Sequence, residues 1–134
     1  MNGYLLDTNI ISDLVRAPSG LAAQRIEHTG AQDIHTSIIV AAELRYGCQK
    51  KGSARLTARV RDVLSIIPVL PLDSPADAEY GRIRAELEAA GQIIGFNDLL
   101  IGAHALALDL ILVTDNLGEF SRIRGLRLEN WLAR

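Results

Sequence analysis

Two kinds of hydrophobic pattern alternate along the chain. Short apolar runs of strand length stand at Tyr4-Leu5-Leu6, Ile34-His35-Thr36, Val69-Leu70-Pro71-Leu72 and Leu110-Ile111-Leu112-Val113, with a last short strand near Leu126-Arg127-Leu128. Such runs, bounded by polar or turn residues, mark strands buried on both faces. The stretches between them carry apolar residues three and four apart, the spacing of a helix with one buried face. Thr8-Asn9 can cap a helix through Leu14 that Pro18-Ser19-Gly20 breaks. A second helix is predicted over 21–27 and ends by Gly30. Thr36 or Ser37 caps a third, running towards Gln49 with Gly52 as its stop. Leu56, Val60, Val63, Leu64 and Ile67 share a helical face between residues 53 and 67. Ser74-Pro75 reads as a helix start, with Ser as cap and Pro in the first turn. Ala76, Tyr80, Ile83 and Leu87 line that helix, and Gly91 closes it. Gly95-Phe96-Asn97 leads into a helix over 98–108 that is apolar almost all round and must be buried.

Short apolar strands alternating with helices imply an α/β fold, a parallel sheet covered on both faces. At 134 residues, with no internal repeat or linker, the chain reads as a single domain over 1–134. Sites in such sheets lie beyond the carboxyl ends of the strands. Asp7 and the pair Asp115-Asn116 both follow strand runs directly, so they draw attention first.

Composition narrows the picture. Half the residues are apolar but only 4% are aromatic, so the core is aliphatic. The net charge of −2 argues against a protein that coats nucleic acid by charge alone, yet is compatible with a nuclease whose site is built of carboxylates. Lysine occurs only at Lys50 and Lys51; the other cations are arginines, which suit bidentate phosphate contacts. Arg55, Arg59, Arg61, Arg82, Arg84, Arg122 and Arg124 are read mainly as solvated faces. Cys48 is alone, which excludes an intramolecular disulfide and favours a reducing compartment. Met1-Asn2-Gly3-Tyr4 carries no signal peptide pattern, and the apolar run 99–108 is too short for a membrane span. A soluble, cytoplasmic protein is expected. His104 reads as a core histidine, Cys48 as a small buried hydrophobe, and Trp131 as packing the terminus onto the domain.

Three acids stand out. Asp7 suits a helix cap, and Asp98 suits the first turn of a helix, where the dipole favours negative charge. Glu43 sits within Ile38-Ile39-Val40-Ala41-Ala42-Glu43-Leu44, on a half-apolar helix face where a carboxylate needs an arginine partner or a cation. If the ends that carry them converge, the carboxylates cannot all stay ionised without a counter-ion. Oxygen-only ligands select Mg²⁺ or Mn²⁺, an ion able to activate water and stabilise charge on a phosphoryl oxygen.

Five strings in order, Leu6-Asp7-Thr8-Asn9-Ile10-Ile11-Ser12, Ala42-Glu43-Leu44-Arg45-Tyr46-Gly47, Gly95-Phe96-Asn97-Asp98-Leu99-Leu100-Ile101, Val113-Thr114-Asp115-Asn116 with Glu119-Phe120, and Gly125-Leu126-Arg127-Leu128-Glu129-Asn130-Trp131, resemble the PIN-domain ribonucleases of the VapC toxin type. The resemblance spans nearly the whole chain. It implies a three-layer α/β/α sandwich with a four- or five-stranded parallel sheet, and Mg²⁺- or Mn²⁺-dependent hydrolysis of RNA. It also implies a homodimer and a cognate antitoxin protein that plugs the acidic site. By matching motif, Asp7, Glu43 and Asp98 fall on the family's metal-binding acids. Where the family often has a fourth Asp this chain has Asn116, which leaves Asp115 and Glu119 as candidates to complete the catalytic set. Thr8 and Thr114 are candidates to support the carboxylates with their hydroxyls. Two other readings compete: a PIN-like module that binds RNA or protein without cutting, and an Asp-dependent phosphatase. The phosphatase would want an Asp at position 9, where Asn9 stands, and a late lysine, which is missing.

Overall fold

The computed structural model describes residues 3–132. Residues 1–2 and 133–134 of the domain expected over 1–134 lie outside the described residues. Five strands form one parallel sheet: β1 (Tyr4–Leu6), β2 (Ile34–Ser37), β3 (Val69–Leu70), β4 (Ile111–Val113) and β5 (Leu128–Glu129), in the order β3-β2-β1-β4-β5. Parallel neighbours need crossovers, and seven helices supply them: α1 (Thr8–Arg16), α2 (Leu21–Thr29), α3 (Ile38–Lys51), α4 (Ala54–Ile66), α5 (Ala76–Ala89), α6 (Phe96–Leu108) and α7 (Leu117–Phe120). Helices α1, α3 and α4 pack against one another, and α5 lies along α6. The result is the α/β/α sandwich expected, with a five-stranded sheet.

The core is aliphatic. Leu5, Leu6, Leu112 and Val113 are fully buried in the central strands, and Leu99, Ile101, Ala103 and Ala105 bury α6 as its composition demanded. His104 is buried with them, its Nδ1 2.8 Å from Ser37 Oγ. Cys48 is buried too. Trp131 packs on Tyr4 with ring centroids 5.2 Å apart and donates from Nε1 to Glu129.

Several element ends differ from expectation for local reasons. β3 stops at Leu70 because Pro71 has no N–H to continue the ladder. β5 starts two residues later than predicted, since the Leu126 N–H still turns back to the Ile123 carbonyl. Ser74 does not cap α5; the backbone there turns instead, Ala76 N–H donating to the Asp73 carbonyl at 2.9 Å. Asn97 lies inside α6, whose cap is Gly95. The four-residue α7 was not predicted, being too short for any periodicity; fully buried Phe120 anchors it.

β1 is central. Leu6 pairs with Thr36 on one side and Val113 on the other. The chain winds outward from β1 through β2 to β3 and then crosses to β4 on the other side of β1, so the order reverses there and a crevice opens at the carboxyl ends of β1 and β4.

Candidate active site

Asp7 is the first residue past β1 and the N-cap of α1. Its backbone N–H continues the sheet to the Val113 carbonyl at 2.9 Å. Its side chain is gripped at both oxygens: Oδ1 accepts from Thr8 N–H at 2.8 Å, and Oδ2 from the Thr114 hydroxyl at 2.8 Å. Only 4% of Asp7 is exposed. Burial pushes its carboxyl above the usual carboxylate range; the Thr114 and Thr8 hydrogen bonds oppose that, while the charges of Glu43 and Asp115 add to it.

Glu43 reaches the same crevice from α3, whose start is fixed by Ser37 accepting from Ile39 N–H. The arginine partner that its half-apolar position allowed is not what it finds. Oε1 accepts from the Thr8 hydroxyl at 2.6 Å and Oε2 from Asn97 Nδ2 at 3.4 Å. Thr8 therefore serves two acids at once, Asp7 through its backbone and Glu43 through its side chain.

Asp98, in the first turn of α6, is half-buried and pushed up to about 7. Burial is the main cause, followed by its hydrogen bond with Glu119 and by the charges of Asp7, Glu119 and Glu43. Glu119 arrives on α7 and also accepts from Asn116 Nδ2 at 3.3 Å. Asp115 is exposed at the rim, its N–H donating to Asn9 Oδ1 at 3.3 Å. Asn116 N–H donates to Thr114 Oγ1 at 3.0 Å, so Thr114 links the β4 loop to Asp7.

Asp7, Glu43, Asp98, Asp115 and Asn116 thus line one cavity of about 460 Å³, which opens at the crevice between β1 and β4. Ser12 and Arg16 complete its α1 wall. Sequence reasoning passed over both, although Thr8, Ser12 and Arg16 stand four residues apart, a polar stripe beside the apolar face of Ile10, Ile11, Leu14 and Val15. Asn97 was read only as leading into the helix and its link to Glu43 missed, because nothing local signals a contact 54 residues away.

The chemistry of this donor set suits a hard cation. Its four acids offer only oxygen ligands, and the negative neighbours that add to the effect of burial on Asp98 are what a bound cation offsets. Among the described residues no three His, Cys, Asp or Glu side chains converge into a ready-made metal cage. An ion that keeps most of its waters and touches one or two carboxylates fits such an open site, which is the habit of Mg²⁺.

Comparison with known proteins adds four findings. The PIN domain family matches residues 4–126. The chain is 40% identical over 131 residues to Ribonuclease VapC2 of Haemophilus influenzae, covering 96% of this chain and 98% of that protein. It is 37% identical over 130 residues to the tRNA(fMet)-specific endonuclease VapC of Shigella flexneri, covering 96% and 97%. Among solved structures, VapBC2 from Rickettsia felis bound to a DNA fragment from its promoter superposes with a TM-score of 0.90 at 39% identity, covering 98% of this chain and 99% of that one.

Proposed function

The chain belongs to the PIN domain family, and from that premise we propose that it hydrolyses RNA phosphodiesters in the acidic cavity, as the toxin of a toxin–antitoxin pair. The observation that carries this reading is the meeting of Asp7, Glu43 and Asp98, from three separate elements, at one crevice with Asp98 raised to about 7 by burial and its acidic neighbours.

Asp7, Glu43 and Asp98 are the residues that would hold the metal, Mg²⁺ or Mn²⁺, one or two of them directly and the rest through its bound waters. When bound, such an ion neutralises the carboxylates, makes a water more acidic and stabilises charge on the phosphoryl oxygens. The protein's own side chains do the rest. Asp7 is held rigid by Thr8 and Thr114, so it presents the same geometry in every turnover. Glu43, tethered by Thr8 and Asn97, orients the attacking water. The new bond forms between water oxygen and phosphorus and the P–O bond to the leaving nucleotide breaks; the water's proton passes to solvent, and solvent returns one to the leaving oxygen. Glu119 shares a hydrogen bond with Asp98 and so tunes its charge. Asp115 adds negative charge at the mouth. No histidine pair and no ribose hydroxyl are needed.

Partners follow from the same reading. Exposed apolar side chains such as Tyr46, Ile66 and Phe96 offer surface to a second copy of the chain and to a cognate antitoxin. The place of action is the cytoplasm, where the RNA is. No helix among the described residues is long and apolar enough to cross a membrane.

The test is cleavage of RNA by the antitoxin-free protein. With Mn²⁺ or Mg²⁺, fragments are expected. Chelator, or Asp7→Ala, abolishes them. Cleavage that persists in chelator overturns the metal-dependent mechanism, and phosphate release from a small ester without RNA cleavage overturns the substrate class.

A further inference from the structure

The acidic cavity has a difficulty of its own making: it repels the polymer it is meant to cut. A bound cation answers this at the reacting phosphate, but the flanking phosphates also need counter-charge. Arg16 is the one Lys, Arg or His among the residues lining that cavity. It closes α1, and its fork is free: among the described residues it makes no ion pair. Glu43, which lines the same cavity, makes no ion pair with it and accepts from Thr8 and Asn97 instead.

A second groove of about 440 Å³ shares Thr8, Ser12, Arg16 and Glu43 with the cavity and continues it between α1, α3 and α4. Its far wall carries Lys51, the last residue of α3, likewise without an ion pair among the described residues. The helix dipole accounts for a cation in a last turn. It does not account for two helices ending at one groove, each with an unpaired cation. The rest of the molecule sharpens the contrast. Arg25, Arg61, Arg82, Arg84, Arg124 and Arg127 are all matched to carboxylates. The unmatched cations among the described residues, Arg122 apart, lie on α1, α3 and α4.

Taking the cavity as the ribonuclease site, we propose that Arg16 and Lys51 hold the phosphates that flank the scissile bond, so that the RNA strand leaves the cavity along the α1–α3 groove. Arg16 grips one phosphate through its planar fork, and Lys51 meets the next as a point charge.

The experiment measures steady-state cleavage of a single-stranded RNA oligonucleotide in Mn²⁺ by the full-length protein and by Arg16→Gln, Lys51→Gln and the double variant. Arg16→Gln raises KM roughly tenfold and Lys51→Gln about threefold, with kcat held within about twofold. Against salt, the slope of log kcat/KM becomes shallower by about 0.7 for each cation removed, the value for one phosphate contact on a single strand. Arg16→Lys restores the slope but not the full affinity, because it keeps the charge and loses the fork. Arg61→Gln, on the outer side of α4 and paired with Asp62, changes none of these. Unchanged KM and slope in the double variant, with the wild type active, overturns this proposal and leaves the ribonuclease reading intact. A loss in kcat with KM unchanged also overturns it, by making Arg16 a support for Glu43. Unaltered RNA kinetics with weakened binding of the antitoxin overturns it in favour of a protein occupant. A wild type that cuts no RNA defeats the ribonuclease reading and this proposal together.

Discussion

Thr114 is fully buried and spends its hydroxyl on Asp7, donating at 2.8 Å while accepting from Asn116 N–H at 3.0 Å. Thr114→Val keeps the shape and removes the donor that favours ionised Asp7. Mn²⁺ affinity, read by calorimetric titration, is expected to fall about 10- to 100-fold, the usual cost of losing a group that orients a metal ligand; Thr114→Ser recovers most of it. Asp98 yields a pH prediction. Its folded-state value of about 7 exceeds that of an unfolded Asp, so the native protein binds the extra proton and its stability falls as pH rises from about 4 to 7. The difference in Tm between metal-free wild type and Asp98→Asn therefore shifts against the wild type between pH 5 and 8. His104, held below its usual value mainly by burial, works in the opposite sense below about pH 6.5, but it is common to both proteins and cancels. Added Mn²⁺ raises the wild-type Tm more at pH 8 than at pH 5, because metal and proton compete for the same oxygens. A difference that stays flat with pH would show that Asp98 is not perturbed. At this scale the acids themselves were legible, since Asp7 ends an apolar run and Glu43 sits on a half-apolar face. Their partners were not, because Thr8 to Glu43 and Thr114 to Asp7 span 35 and 107 residues.

Ser37 and Ser53 make a matched pair at the scale of elements. Each caps a helix, Ser37 accepting from Ile39 N–H and Ser53 from Leu56 N–H, both at 3.1 Å. Ser37 does one thing more. Its hydroxyl lies 2.8 Å from Nδ1 of buried His104 and so ties α3 to α6, the helices that carry Glu43 and Asp98. Ser53→Ala is expected to cost about 1 kcal/mol, the worth of a cap. Ser37→Ala is expected to cost about 2–3 kcal/mol, since it also strands a buried imidazole. Urea denaturation at equal m-value measures both, and equal losses would mean the His104 contact contributes nothing. Elements with strong local signals were readable from the chain: the serine cap and Gly52 stop of α3, and the unbroken apolar run of α6. Those set by non-local backbone contacts were not. β5 is placed by its ladder to β4, and α7 by the burial of Phe120, although α7 is what delivers Glu119 to Asp98.

For the whole molecule, the alternation of strands and helices pointed to a parallel sheet, but the order β3-β2-β1-β4-β5 has no local signature, and that order is what seats Asp7 beside Thr114. Both flanks of β1 contribute to the site: Glu43 comes through α3, which follows β2, and the Asp115 loop follows β4. The site therefore cannot survive the loss of either half of the sheet. We propose that the chain is one cooperative domain over 1–134, supported by a single core cluster that runs from Leu5 to Trp131. Scanning calorimetry of the metal-free protein is expected to show one transition, with equal calorimetric and van't Hoff enthalpies of about 90 kcal/mol near 60 °C. Because the carboxylates are distributed over the whole sheet, saturating Mn²⁺ moves that entire transition upward and leaves no part behind. Two transitions, of which only one responds to the ion, would split the molecule into independent units and confine the metal site to one of them.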